Sequence, residues 1–289
     1  STLTSEGGVM TMKALELGAF DFIPKPQSGT MAANKQAVQE ALKPILNAFS
    51  RSRRILGGRP KSQPAACTVR PNNQVRSKAF SPSLAVQTRP SSIIAIGIST
   101  GGPNALAQLL PQLPADINVP VVIVQHMPPM FTKSLAKSLD QKCALDVHEA
   151  VDGEPLKPNA VYIAPGGKQM KIVAGADGKQ RVIKITNDPP ENSCKPSVDY
   201  LFRSIAEMYV GRATGIIMTG MGSDGSKGLQ QMKRNGAFVI AQNEASCVVF
   251  GMPKEPIEAG IVDVVSPLNG IASAVLTSIS YRGSNRPGK

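Results

Sequence analysis

Tryptophan is absent from the 289 residues, and all aromatics together make up only 4%. The interior must therefore be built from aliphatic side chains. With 42% hydrophobic and 18% charged residues, the composition is that of a folded chain and not a disordered one. No apolar run approaches the roughly 18 residues of a membrane span, and no secretory segment is visible at the start. Cys67, Cys143, Cys194 and Cys247 form no C-x-x-C pair and have no nearby histidine to complete a zinc site. Four cysteines in so long a chain make no disulfide framework, so a reducing cytoplasmic setting without a bound metal is expected. There is no G-x-x-x-x-G-K-[ST] loop and no fixed-period repeat, which removes the P-loop enzymes and the solenoids. Acidic residues are missing from residues 51–92, which carry nine lysines and arginines and so account for nine of the twelve net positive charges. The basic excess belongs to a segment rich in Arg, Ser, Pro, Asn and Gln. Its composition reads as an extended, flexible linker between 1–50 and 93–289 and not as a nucleic-acid-binding face.

From residue 93 the texture changes to apolar runs alternating with helical patterns. Strands are expected at 93–98, 119–125, 160–165, 213–219, 237–242 and 261–265. Helices are expected at 104–113, 131–141, 197–209, 226–235 and about 267–280. Between them, KQMKIVAGADGKQRVIKIT reads as a hairpin turning at Asp177-Gly178. This alternation with continuous apolar strands predicts an α/β fold: a doubly wound, mostly parallel sheet with helices on both faces and a β-hairpin insertion. Residues 1–50 predict a helix, a turn at Gly18, a short buried strand ending at Lys25-Pro26, and an amphipathic helix at about 31–50. One strand and two helices cannot form a covered sheet, so this piece reads as the tail of a domain.

Three polar side chains stand among glycines or prolines just past apolar runs: Ser99 in IIAIGISTGGP, His126 in VPVVIVQHMPP and Asp224 in TGIIMTGMGSDG. In an open α/β sheet, such strand ends line the crevice where ligands bind. Gly97 to Gly101 spells G-x-S-x-G at a strand-turn-helix step, which lifts a serine hydroxyl out of the sheet. Thr100 and Gly101 lead into the next helix, whose free N–H groups face any developing negative charge. A serine needs a neutral imidazole to take its proton, and only two histidines exist. His148 lies among solvated charges, leaving His126 as the base. Asp224 would orient it, with the main chain of Met221 as an oxyanion donor. From these residue types, activity should rise with pH through roughly 6–7. The order Ser, His, Asp departs from both the α/β-hydrolases and chymotrypsin. Competing readings are a helix cap for Ser99 and for Asp224, a buried structural role for His126, and a dinucleotide fingerprint in Gly220-x-Gly222-x-x-Gly225 with Glu244 about 20 residues on.

Residues 1–50 resemble the last third of a response-regulator receiver domain. In its LGA-x-DF-x-x-KP pattern Lys25 would contact a phosphoryl group, and Ser1 falls at the switch position. The phosphoacceptor aspartate of that family lies upstream of the match. GISTGGP, VIVQHMPP, VYIAPGG, KPSVDYLF, TGMGSDG and QNEASCVVFGMP occur in the order found in the chemotaxis protein-glutamate methylesterases, the CheB family, which 93–289 resembles. That resemblance implies Ser99 as nucleophile, His126 as general base, Asp224 as its orienter and Met221 at the backbone oxyanion position. It further implies hydrolysis of glutamyl γ-methyl esters and deamidation of glutamines on chemoreceptor helices, without a cofactor. The implied partners are those helices and, through an intact receiver domain, the chemotaxis histidine kinase. Many relatives carry histidine where this chain has Gln169 and Cys194, two departures outside the triad.

Overall fold

The computed structural model describes residues 5–23, 25–26, 29–57 and 89–280. Ser1 and most of the segment expected to be a linker lie outside them. The frame is a seven-stranded sheet of β1 (Ile93–Ile98), β2 (Val121–Gln125), β3 (Asp146–Glu149), β4 (Ala160–Ile163), β7 (Ala213–Ile217), β8 (Phe238–Gln242) and β9 (Val264–Ser266). Its order is β3-β4-β2-β1-β7-β8-β9, and every pairing is parallel. The antiparallel pair β5 (Gln169–Ala174) and β6 (Arg181–Thr186) is the expected hairpin, with Asp177 Oδ1 accepting from the N–H groups of Lys179 and Gln180 at its turn.

Parallel strands covered on both faces need apolar side chains at successive positions, and β1, β2, β4 and β7 are buried throughout. Their alternate residues supply two cores. Ile94, Ile96, Ile98, Val121 and Ile123 face α3 (Gly102–Leu109), α4 (Phe131–Asp140) and α8 (Leu268–Ser280). Ile93, Ala95, Val122 and Val124 face the hairpin, α5 (Val198–Met208) and α6 (Ser226–Arg234).

Several details depart from the sequence reading. No strand forms at 19–23, because among the described residues no partner strand is there to accept its ladder. The segment instead sets Phe22 against Phe131, ring centroids 4.6 Å apart, and α1 (Ser5–Glu16) buries Met12 and Leu15 in the core between α3 and α4. The helix expected to end near residue 50 runs over Met31–Gly57, seven residues into the segment expected to be a linker. Strand β3 and the short helix α7 (Lys254–Glu258) were not expected; both are short and polar, so no apolar run announces them.

Gly97 in β1 lets the start of α5 approach the sheet: a Cβ there would stand 2.3 Å from Val198 Cγ1. Gly97→Ala should therefore destabilise the fold by about 1–3 kcal/mol through overpacking, read as a lowered urea midpoint. An unchanged midpoint would contradict this packing.

Candidate active site

From β1 the chain passes to β2, out to the edge strand β3 and back to β4 on one side, then crosses to β7, β8 and β9 on the other side of β1, so the winding reverses between β1 and β7. A crevice opens at the carboxyl ends there. Ser99 follows β1, His126 follows β2 and the 219–225 loop follows β7. The register pairs Ile98 with Gln125, and the His126 N–H donates to the Ile98 carbonyl at 3.1 Å. Ser99 N–H donates to Thr219 at 3.0 Å, and a Cβ on Gly220 would stand 2.7 Å from Ser99 Cβ. All three strand ends thus meet around the serine.

A side chain the sequence reading passed over ties two of them together. The Gln125 amide, buried behind the site, donates to the carbonyls of Ser99 (3.0 Å) and His126 (3.1 Å). Its position directly before the candidate base was the available signal.

Asp224 is buried, and His126 Nε2 lies 2.8 Å from its Oδ2. The carboxylate does cap a helix, but not the one that follows it. It accepts from the N–H groups of Val198 (2.7 Å) and Asp199 (3.2 Å) at the start of α5, from Ser197 Oγ (2.9 Å) and from Asn192 Nδ2 (2.8 Å). Burial pushes its pKa up, but the His126 hydrogen bond and charge and the Val198 N–H outweigh that and hold it near 2. An ionised Asp224 fixes the proton on Nε2 and leaves Nδ1 as the basic nitrogen.

Nδ1 faces Cys194 Sγ at 3.7 Å. Among the described residues the Ser99 hydroxyl makes no hydrogen bond, so the structure brings Ser99 and His126 to neighbouring strand ends without joining them. The amide hydrogens of Thr100, Gly101 and Met221 have no partner among the described residues either. Gly101 reaches φ 79° at the start of α3, a left-handed conformation suited to glycine. Met221 is 51% exposed on a loop pinned through Gly220, which bonds Val249, Gly251 and Met252. Beside Gly101 lies a cleft of about 420 Å³ lined by Asn104, Gln108, Thr219, Gln242, Ser246 and Asn269.

The dinucleotide reading fails on packing. A phosphate at the start of α6 would need the space that Val198 and Ile217 fill against Gly225, and the first-turn N–H of Gly228 is bonded to Asp199 at 2.6 Å. Asp224 points inward, away from any ligand at that helix. His148 sits on edge strand β3, 2.8 Å from Glu154, apart from the site. Lys25 is exposed. Gln169 is buried, donating to Pro189 O (3.1 Å) and accepting from Ser197 N–H (2.8 Å), so it supports the segment that meets Asp224. His126, Cys194 and Asp224 have potential ligand atoms within 4.8 Å of one another. The bonds already made by Asp224 and Nε2 leave only Sγ and Nδ1, which are hydrogen-bonded to each other, fewer than the three or four protein ligands of a zinc site.

Residues 94–275 match the family described as CheB methylesterase. The chain belongs to this family. A protein-glutamate methylesterase/protein-glutamine glutaminase of Desulfotalea psychrophila is 54% identical over 279 residues, covering 96% of this chain and 76% of that protein. The enzyme of the same name from Salmonella choleraesuis is 41% identical, covering 97% of this chain and 74% of its own length. The catalytic domain of Thermotoga maritima CheB methylesterase superposes with a TM-score of 0.63 at 43% identity, covering 64% of this chain and 97% of that domain. The doubly wound α/β core is therefore that of a CheB methylesterase.

Burial pushes the His126 pKa down, but the hydrogen bonds to Asp224 and Cys194 and the charge of Asp224 outweigh it and raise it to about 9. The protonated ring cannot accept the serine proton. Ester hydrolysis should therefore rise with pH through a midpoint near 9, above the neutral window expected from residue type, when initial rates are followed with chemistry limiting. Asp224→Asn should move that midpoint down. A wild-type midpoint at or below 6.5 would overturn this electrostatic account.

Proposed function

We propose that this chain hydrolyses γ-methyl esters of glutamyl side chains on chemoreceptor helices, and deamidates selected glutamines there, through Ser99, His126 and Asp224. The observation that carries the reading is the 2.8 Å contact between His126 Nε2 and Asp224 at the strand end beside Ser99. It leaves Nδ1 as the base, the reverse of the ring orientation in chymotrypsin, where Nδ1 faces the aspartate.

In this scheme Ser99 Oγ attacks the ester carbonyl as its proton passes to Nδ1. The oxyanion is met by the free N–H groups of Thr100 or Gly101 and of Met221, groups of a kind worth about 2.7–4 kcal/mol each to the transition state. His126 returns the proton to the leaving oxygen, so methanol departs. Water, activated by the same nitrogen, then attacks the acyl-serine and frees the glutamate carboxylate. An amide substrate follows the same course and loses ammonia. The unbonded Ser99 hydroxyl is compatible with this sequence, because catalytic hydrogen bonds commonly form or tighten only with substrate bound. The amide-lined cleft beside Gly101 offers room for polar side chains flanking the target on a receptor helix.

Residues 1–50 are read as the carboxyl-terminal part of a receiver domain, with Lys25 as its phosphate-contacting lysine and the histidine kinase as partner of the complete domain. Their placement supports a link to the catalytic unit: Phe22 packs on Phe131, Met12 and Leu15 join the core beside α3 and α4, and Asp21 is pushed up by burial. Among the described residues no helix is long and apolar enough to cross a membrane, which fits a cytoplasmic enzyme.

Methanol release from a methylated receptor fragment tests the reading. Ser99→Ala should abolish it with the fold intact, and a residual tenth of the wild-type rate would sink the assignment. Asp224→Asn should cost about 10⁴-fold by loss of the correct tautomer; a mild effect would reduce Asp224 to its helix-capping role.

A further inference from the structure

The esterase chemistry makes no use of Cys194, yet this thiol occupies the working side of the base. We infer that Cys194 is a peroxide-sensitive modification site, at which oxidation to a sulfenic acid shuts off the esterase by occupying His126 Nδ1.

The geometry has three parts. Cys194 Sγ lies 3.7 Å from Nδ1, and Nε2 lies 2.8 Å from Asp224, so sulfur, imidazole and carboxylate form a continuous chain like that of a cysteine nucleophile. The thiol is only half-buried, so a small oxidant can reach it. It is also held in place. Asn192 and Ser193 take φ values of 51° and 61° in a tight turn that exchanges two backbone hydrogen bonds between Glu191 and Cys194. Arg203 grips both oxygens of Glu191, and Asn192 bonds Asp224 and Asp199. The backbone that carries the sulfur cannot move away without breaking contacts that also position Asp224.

The other described cysteines differ. Burial pushes Cys143 up to about 11 and Cys247 up to about 12, leaving both as poorly nucleophilic thiols. Only Cys194, among the described residues, has an imidazole beside it to balance a thiolate.

The step balances. The Cys194 thiolate attacks one oxygen of hydrogen peroxide, forming an S–O bond as the O–O bond breaks. Sulfur loses two electrons to the peroxide, and the departing hydroxide takes the imidazolium proton to leave as water. The new S–O–H lies on the Nδ1 side and donates to that nitrogen, consuming the lone pair Ser99 requires. A sulfenic acid is reversible by thiols.

The loss of activity rests on the esterase reading, whereas formation of the adduct does not, and the test separates them. The full chain is treated with hydrogen peroxide, trapped with dimedone, and all four cysteines are mapped by mass spectrometry alongside methanol release. The expected result is a dimedone adduct on Cys194 ahead of the other cysteines, and loss of most of the methanol release, restored by dithiothreitol. Cys194→Ala should resist peroxide, its methanol release being compared with its own untreated rate because loss of the thiol also removes a bond to Nδ1, and Cys194→Ser should do the same if the alanine variant folds poorly. Adducts appearing elsewhere but not on Cys194 would overturn the proposal. So would equal peroxide sensitivity in the variants, or full activity in protein modified at Cys194. If the chain released no methanol at all, the esterase reading would fall while the mapping still decided whether Cys194 is the reactive thiol.

Discussion

The buried carboxylate of Asp224 organises the molecule around itself. It receives hydrogen bonds from Asn192, Ser197, Val198, Asp199 and His126, contributed by a tight turn, a helix start and a strand end that are remote in sequence. A charge taken out of water is costly unless each lone pair finds a donor. Here the amino end of α5 supplies two backbone donors and a favourable dipole in addition to the imidazole. One negative charge therefore anchors α5 to the crevice, fixes the ring of His126 and holds the turn that carries Cys194.

This arrangement depends on close approach. The sheet reverses its winding between β1 and β7, so the loops after those strands diverge and leave a crevice. Glycine at 97 lets α5 come up against β1, and glycine at 220 lets the loop after β7 pass beside Ser99. The same crowding excludes a dinucleotide from a glycine pattern that spells its fingerprint, because protein side chains and the Asp199 carboxylate already fill the start of α6. The shape of the crevice, and not the spacing of its glycines, separates the two chemistries.

Much of this was legible in the chain. Continuous apolar strands alternating with amphipathic helices specify a covered parallel sheet, and the seven-stranded frame follows that pattern closely. Ser99, His126 and Asp224 stood out because each is polar at the end of an apolar run. The short strand expected to end at Lys25-Pro26 failed for lack of a neighbour, and β3 and α7 escaped notice because short polar elements carry no periodic signal. Gln125, Asn192 and Ser197 were also unread, since their importance lies in what they bond and not in any local pattern.

The sequence alone determined the class of fold, the family and the identities of the three polar groups, because strand burial and strand-end position leave a one-dimensional record. Only the tertiary structure decided which nitrogen of His126 faces Asp224, which helix that carboxylate caps, and that Cys194 stands against the other ring nitrogen. Those facts depend on contacts between residues far apart in the chain, here 26 to 98 positions, and no local spacing encodes the distance or direction at which such groups meet.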